Sequence, residues 1–231
     1  MMTETFSGHG PDEEPGSTGA LRATSARYGA FTDAVVAIAM TLLILPLMEL
    51  VPEAAAQHLT AGQLLVEHEG QFLAFALSFV LIGMFWFLHH RIFRADTPHD
   101  GRRAVVNLAW MGTIVFLPVV TAMTGSSMPT DRVMIALYIG TLALSSWLLL
   151  GLTGLELQAR RRARLVTPDR TLLAAPLAMS LLFSLALVLA EVAPSVSYFF
   201  LFLMVLTGPL RRLIIRFGLR DRETGVGMVG Q

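Results

Sequence analysis

The chain has 231 residues, of which 54% are hydrophobic and 15% charged, with a mean hydropathy of +0.63. Soluble domains usually carry about 25% charged residues, and a soluble core of this size cannot bury so much apolar surface, so an ordinary soluble enzyme is excluded. The formal net charge is zero. The chain has no cysteine, and this absence excludes disulfides, thiolate metal sites and thiol catalysis.

The N-terminal segment, residues 1–26, is acidic and rich in small and turn-forming residues. Glu4, Asp12, Glu13 and Glu14 lie among Gly, Pro, Ser and Thr, and no basic segment is followed by an apolar run. The pattern does not indicate a secretory signal. A composition of this kind cannot bury enough surface to order itself, so it predicts a flexible N-terminal tail over residues 1–26.

Six apolar stretches follow the tail, and each meets or approaches the length of about 20 residues that crosses a bilayer core of roughly 30 Å. They are Ala34–Leu50, Phe72–Leu88, Ala104–Ala122, Val133–Leu155, Leu172–Ala190 and Val196–Leu210. We therefore predict an all-α integral membrane protein with six transmembrane helices over residues 27–217. Residues 218–231 are expected to form a cytoplasmic C-terminal tail.

The arginines set the predicted orientation. Sixteen of the seventeen lie before the first span, after the second, after the fourth, or after the sixth, and Arg132 is the sole basic residue on the opposite side. The positive-inside rule then places both termini in the cytoplasm, which requires an even number of spans. The acidic residues are expected at or beyond the helix ends.

The first span carries polar groups at its start and a regular apolar stripe. Ile38, Leu42 and Leu45 recur at positions i, i+4 and i+7, so they share one helical face, and Thr41 lies on the same side. A lipid-facing or packing stripe is one interpretation of this pattern. Pro46 is expected to kink or end the helix.

Three motifs in chain order resemble one known family. Arg27-x-x-x-Phe31-Thr32-Asp33 precedes the apolar helix, Trp86-x-x-His89-His90-Arg91 ends the second span, and Asn107 lies in the third span together with Phe116, Pro118 and Thr121. Over about the first half of the chain this combination resembles the transmembrane protein 175 family of potassium channels. Thr32 stands where that family usually has serine, and it keeps the hydroxyl.

The resemblance implies a homotetramer in the lipid bilayer, with the first helix of each subunit lining a central pore. By the same resemblance, Ile38, Leu42 and Leu45 form a hydrophobic constriction and Thr41 contributes to ion selectivity. A second set of residues is implied to be structural: Arg27, Phe31, Thr32, Asp33, Trp86, His89, His90 and Asn107. The expected function is a modestly potassium-selective, leak-type channel in the inner (plasma) membrane of a bacterium, without cofactor, bound metal, catalytic residues or a nucleic-acid partner.

Other functions are also compatible with the sequence. A secondary transporter or proton-permeable carrier of a small cation is the main alternative, and a non-conducting membrane scaffold is another. A membrane enzyme is disfavoured because no convergent catalytic set is present. An Arg27–Asp33–His cluster at the cytoplasmic side is a further hypothesis, since histidine titrates near neutral pH and would make opening pH-sensitive.

Overall fold

The computed structural model describes residues 16–92, 101–126, 131–162 and 170–192, and all regular structure in these ranges is helical. The helices are α1 (Gly16–Leu42), α2 (Leu45–Ala56), α3 (Ala61–Glu67), α4 (Glu69–Ile92), α5 (Gly101–Ser126), α6 (Arg132–Arg162) and α7 (Ala174–Val192), with a short 3-10 helix at Arg170–Leu173 before α7.

Five segments of the described chain are long and apolar enough to cross a membrane. They are Arg27–Ala56, Glu69–Ile92, Gly101–Gly125, Arg132–Arg162 and Thr171–Ala190, and each of the first five predicted spans lies inside one of them. The sixth predicted span, Val196–Leu210, and the tail at 218–231 lie outside the described residues. The total of six helices and the cytoplasmic position of both termini therefore remain predictions.

The N-terminal boundary differs from the expected one. Helix α1 begins at Gly16, so helix extends into the segment that composition predicts as a tail ending at residue 26. The remainder of that segment, residues 1–15, lies outside the described part of the chain. The domain boundaries at residues 26 and 217 stay predictions.

The first membrane segment is broken where Pro46 predicts. Helix α1 ends at Leu42, and α2 begins at Leu45 with the proline in its first turn. A proline has no N–H to donate, and its ring clashes with the carbonyl four residues earlier, which here belongs to Leu42. The chain instead forms a tight turn, in which the Ile44 N–H donates to the Thr41 carbonyl three residues earlier at 3.3 Å.

Local signals define other helix ends on the side predicted to be external. Thr60 and Gln63 form a capping box at the start of α3, where each side chain bonds the backbone N–H of the other. Asp131 caps α6 by accepting from the backbone N–H of Val133 at 3.0 Å. These caps satisfy amide groups that have no partner within their own helix.

Helix α5 lies at the centre of the bundle. It packs against α1, α4 and α6, while α7 packs against α6. The largest side chains in the core are fully buried, among them Trp110 of α5, Phe85 of α4 and Leu142 of α6. Helix α1 therefore has one side fixed by α4 and α5.

Buried hydroxyl groups join the middle helices. Ser78 of α4 lies 2.8 Å from both the Thr121 hydroxyl of α5 and the Tyr138 hydroxyl of α6. Ser145 of α6 donates to the Thr113 hydroxyl of α5 at 2.7 Å. In a membrane such contacts contribute about 0.6 kcal/mol each on average, and they fix how the three helices face one another.

A buried ion pair fastens three helices at the end predicted to be cytoplasmic. Glu156 of α6 accepts from Arg103 of α5 and, at 3.0 Å, from Arg160 one turn further along α6. Arg160 also donates to the backbone carbonyl of Ile92, the last residue of α4, at 2.7 Å. Glu156 is 2% exposed. The expectation that every acidic residue lies at or beyond a helix end is therefore wrong for Glu156, whose burial is made possible by two guanidinium partners.

We expect Glu156→Gln to destabilise the protein. Removing one charge of a buried pair leaves its partner uncompensated, which costs on the order of 3–5 kcal/mol, and here two arginines lose their counter-charge. The measurement is the midpoint of thermal unfolding in detergent. The matched control is Glu53→Gln, because Glu53 is exposed and bonds Gln57 within α2. Equal midpoints for both variants and the wild type would contradict the assigned role.

Candidate ion pathway along the first helix

The predicted constriction residues share the side of the first membrane segment that the rest of the described chain leaves uncovered. Ile38 is 59% exposed, Leu42 38% and Leu45 52%, whereas Ala39 and Leu43 are 0% and 1% exposed in the core. An apolar face of this kind requires lipid or a second protein surface to cover it. Leu45 belongs to α2 and the other two to α1, so the stripe continues across the break.

Thr41 lies on the same exposed side, and its hydroxyl is oriented by the helix. The hydroxyl donates to the backbone carbonyl of Ile38 at 2.7 Å. The proton is thereby directed into the helix, and the oxygen retains acceptor capacity on the exposed side. An oxygen in this state suits a partly dehydrated cation, which requires lone pairs and not a donor.

One arm of a polar network holds α1 against α4. Asp33 accepts a hydrogen bond from the indole N–H of Trp86 at 2.8 Å. The indole of Trp86 lies 5.0 Å from the ring of Phe87 and 5.5 Å from that of His90. The carboxylate at the start of the membrane segment is thus paired with a donor from the neighbouring helix.

The other arm passes through Asn107 of α5, which is fully buried. The Asn107 carbonyl oxygen lies 2.7 Å from Nε2 of His89, and its amide donates to the Thr32 hydroxyl at 3.2 Å. Thr32 in turn donates to the Tyr28 carbonyl at 3.1 Å. His89 also stacks on Trp110, with ring centroids 4.3 Å apart and planes 10° apart. The amide of Asn107 therefore connects α1, α4 and α5.

The structure places the remaining predicted residues apart from this network. Arg27, Phe31 and His90 are exposed. Among the described residues no ion pair joins Arg27 to Asp33, and His89 bonds Asn107, so the hypothesised Arg27–Asp33–His cluster differs from the arrangement found. The shared hydroxyls and amides of α1, α4 and α5 replace it.

Sequence reasoning did not identify three residues that complete this end of the bundle. Tyr28 donates from its hydroxyl to the Ala104 carbonyl at 3.4 Å, and Arg103 pairs with Glu156. Arg103 is one helical turn before Asn107, and this i, i+4 spacing is the sequence signal for a polar face on α5. The partner of that face on α6 could not be read from spacing alone.

No group of three or more His, Asp or Glu side chains in the described ranges is placed to hold a metal ion. The polar atoms of the network are paired with one another across helix contacts. Chemically, the arrangement fixes the position of α1 and presents an apolar stripe with one outward oxygen.

The comparisons with known proteins bear on the same region. The model of the family described as "Endosomal/lysosomal potassium channel TMEM175" matches residues 27–118, which hold α2, α3, α4, the membrane part of α1 and most of α5. Over these residues, the chain is similar to the TMEM175 family. The motif at Arg27–Asp33, Trp86, His89 and Asn107 all fall within the match.

Curated relatives agree with this assignment. A potassium channel of Chryseobacterium is 31% identical over 104 residues, covering 45% of this chain and 50% of that protein. A potassium channel of Streptomyces collinus is 33% identical over 112 residues, covering 47% and 51%. The endosomal/lysosomal proton channel TMEM175 of Mus musculus is 38% identical over 94 residues, covering 37% and 19%. The chain thus spans about half the length of these bacterial relatives.

A solved structure has a similar fold over most of the chain. It is the crystal structure of a lysosomal potassium-selective channel TMEM175 homolog from Chamaesiphon minutus, with a TM-score of 0.65 and 23% sequence identity. The match covers 83% of this chain and 98% of that one. The similarity of fold therefore extends past residue 118, and with its five apolar helices the chain is a multi-pass membrane protein.

We expect Asn107→Leu to lower thermal stability and to loosen α1. The substitution removes the hydrogen bond of the amide to the His89 ring and the one to the Thr32 hydroxyl, and each buried hydrogen bond lost costs about 1–3 kcal/mol. The measurement is the unfolding midpoint in detergent. Leu108→Asn is the control, because it exchanges the same two residue types on α5 in the opposite direction, at an exposed position next to Asn107. An unchanged midpoint for Asn107→Leu would contradict the role of the amide.

Proposed function

We propose that this TMEM175-family protein is a potassium-selective, leak-type cation channel. Its pore is formed by a homotetramer in which α1 and the start of α2 line a central axis. The observation that carries the proposal is the exposed stripe of Ile38, Thr41, Leu42 and Leu45, which lies opposite a face packed on α4 and α5. The names of the bacterial relatives, both potassium channels, support the choice of ion.

Cyclic symmetry gives the stripe its proposed function. In a homotetramer each side chain becomes a ring of four. Rings of Ile38, Leu42 and Leu45 form a narrow apolar constriction that excludes bulk water and gates by dewetting. Helices α4 and α5, fastened to α1 by Asn107 and Trp86, hold these rings at a fixed distance from the axis.

Selectivity is assigned to the Thr41 ring. Potassium gives up its hydration water at a lower cost than sodium, so an apolar constriction favours potassium. The Thr41 oxygens replace part of the lost hydration, because each hydroxyl proton is already donated to the Ile38 carbonyl. A ring of side-chain oxygens in a flexible apolar constriction discriminates modestly, which agrees with a leak-type conductance.

A proton-permeable carrier is the second candidate, and the names of the animal relatives support permeation by protons. Those relatives are endosomal/lysosomal proton channels. A carrier requires an ionisable group within the membrane that is able to gain and lose a proton. Within the described helices, Glu156 is buried inside α6 but held by Arg103 and Arg160 near the end of that helix. This pairing suits a structural role, and the channel is therefore preferred.

The proposed setting is the inner (plasma) membrane of a bacterium. The proposed partners are other copies of the chain, the lipid bilayer and potassium ions, and no catalytic activity is assigned.

We expect Ile38→Asn to increase cation flux and reduce discrimination between potassium and sodium. A polar ring at the constriction holds water and lowers the barrier, and a reduction of about 1.4 kcal/mol raises a rate about tenfold. The measurement is ion flux into liposomes containing the purified protein, under a potassium and then a sodium gradient.

Val188→Asn is the matched control, since Val188 is similarly exposed at 61% but lies on α7, which packs on α6. Wild-type flux that saturates and requires a proton gradient would favour the carrier. Equal fluxes for Ile38→Asn and the wild type would contradict a pore lined by α1.

We expect Thr41→Val to lower the ratio of potassium to sodium flux while leaving the fold intact. Valine keeps the shape of threonine but removes the oxygen that faces the exposed side. The measurement is the flux ratio in the same liposomes.

Thr141→Val is the matched control. Thr141 also donates to its own helix, to the Leu137 carbonyl at 2.7 Å, but it is buried in α6. A flux ratio that falls equally in both variants would contradict a specific role for Thr41.

A further inference from the structure

A small cavity lies directly behind the break in the first membrane segment. It has a volume of about 10 Å³, is partly open, and is lined by residues of the break, including Leu43 and Pro46, and by residues of α4 and α5, including Gln71 and Gly125. This volume is close to the smallest, about 10–15 Å³, that holds a water molecule. It is too small for a lipid chain or an organic ligand.

Gln71 directs a buried acceptor to this region. Its Oε1 atom is inaccessible to solvent, and no group in the described part of the chain donates a hydrogen bond to it. A buried polar atom without a partner costs about 1–3 kcal/mol. The amide oxygen is therefore available to a donor from outside the described residues, and a water molecule is small enough to enter the cavity.

The break also leaves a backbone carbonyl at the cavity, that of Leu43, which is among the lining residues. Pro46 has no N–H and prevents a continuous helix here. The Leu47 N–H, which would reach the Leu43 carbonyl in a continuous helix, donates to the Ile44 carbonyl at 3.0 Å. Prolines within membrane helices are tolerated where waters or neighbouring side chains satisfy the carbonyls that they release.

We propose that the cavity binds one water molecule, which donates one hydrogen bond to Gln71 Oε1 and the other to a backbone carbonyl of the break. The site has acceptors to offer and apolar walls such as Leu47 and Phe75, and a neutral molecule with two donors matches it. The water joins α4 to the turn between α1 and α2, and this water-mediated contact is called the joint below.

Gly125 of α5 makes room for this arrangement. A Cβ atom at this position would lie 3.0 Å from Cγ and 3.2 Å from Cα of Gln71. An alanine would therefore press on both the side chain and the backbone of Gln71. The glycine allows the Gln71 side chain to lie against α5 beside the cavity.

The test is hydroxyl-radical labelling of the full-length protein by a synchrotron X-ray pulse, read by mass spectrometry. Radiolysis of a bound water oxidises the side chains that touch it even where bulk solvent does not reach. We expect Leu47, Phe75 or Pro46 to be labelled in the wild type and labelled several-fold less in Gln71→Leu. Gln158→Leu, at an exposed position on α6, is expected to match the wild type.

Gly125→Ala is a second variant that acts without removing the acceptor. We expect it to reduce the same labelling, because the displaced Gln71 side chain occupies the cavity. Unfolding midpoints identify variants that fail to fold. Absent labelling in the wild type, or equal labelling in the wild type and both folded variants, would overturn the proposal. The effect of the joint on conduction rests on the proposed function, but the labelling is measured without ion flux, so the two fail separately.

Discussion

The amide of Asn107 is the contact on which the position of the first helix depends. It is fully buried in α5 and binds Thr32 of α1 with one end and His89 of α4 with the other. In a membrane, lipid solvates the apolar faces of helices as well as protein does, so hydrophobic burial alone does not select one packing. A buried amide with two required partners does, because every other arrangement leaves polar atoms unsatisfied.

The bundle is fastened differently at its two ends. At one end, charged and polar side chains join α1, α4, α5 and α6 through Asn107 and through Glu156 with its two arginines. At the other end, α1 gives way to α2 at Pro46, beside a small cavity and the buried oxygen of Gln71. A rigid base and a jointed outer segment thus occur on a single membrane crossing. The stripe of Ile38, Thr41, Leu42 and Leu45 crosses from one to the other.

Much of this arrangement could be predicted from the sequence, and the reason differs between features. Hydropathy located the five described spans, since each apolar run meets or approaches the length that crosses a bilayer. The spacing of Ile38, Leu42 and Leu45 predicted a shared face, and the chemistry of proline predicted the break at Pro46. The pairing of Arg103 with Glu156 could not be predicted, because the two residues lie 53 positions apart and only packing brings them together. The hydrogen-bond partners of Asp33 and His89, which are Trp86 and Asn107, could not be predicted for the same reason.

Thr32 and Asp33 are adjacent in the chain, and this has a consequence for the rotational register of the first helix. Neighbouring residues of an α-helix project about 100° apart, and these two bind α5 and α4 respectively. Together these two contacts fix the rotation of α1 about its own axis. Ile38 follows Asp33 by five residues, so inserting or deleting one residue between them would turn the whole stripe by about 100° while the anchors stayed in place. The number of residues between Asp33 and Ile38 thus determines which side chains of the helix face away from the bundle.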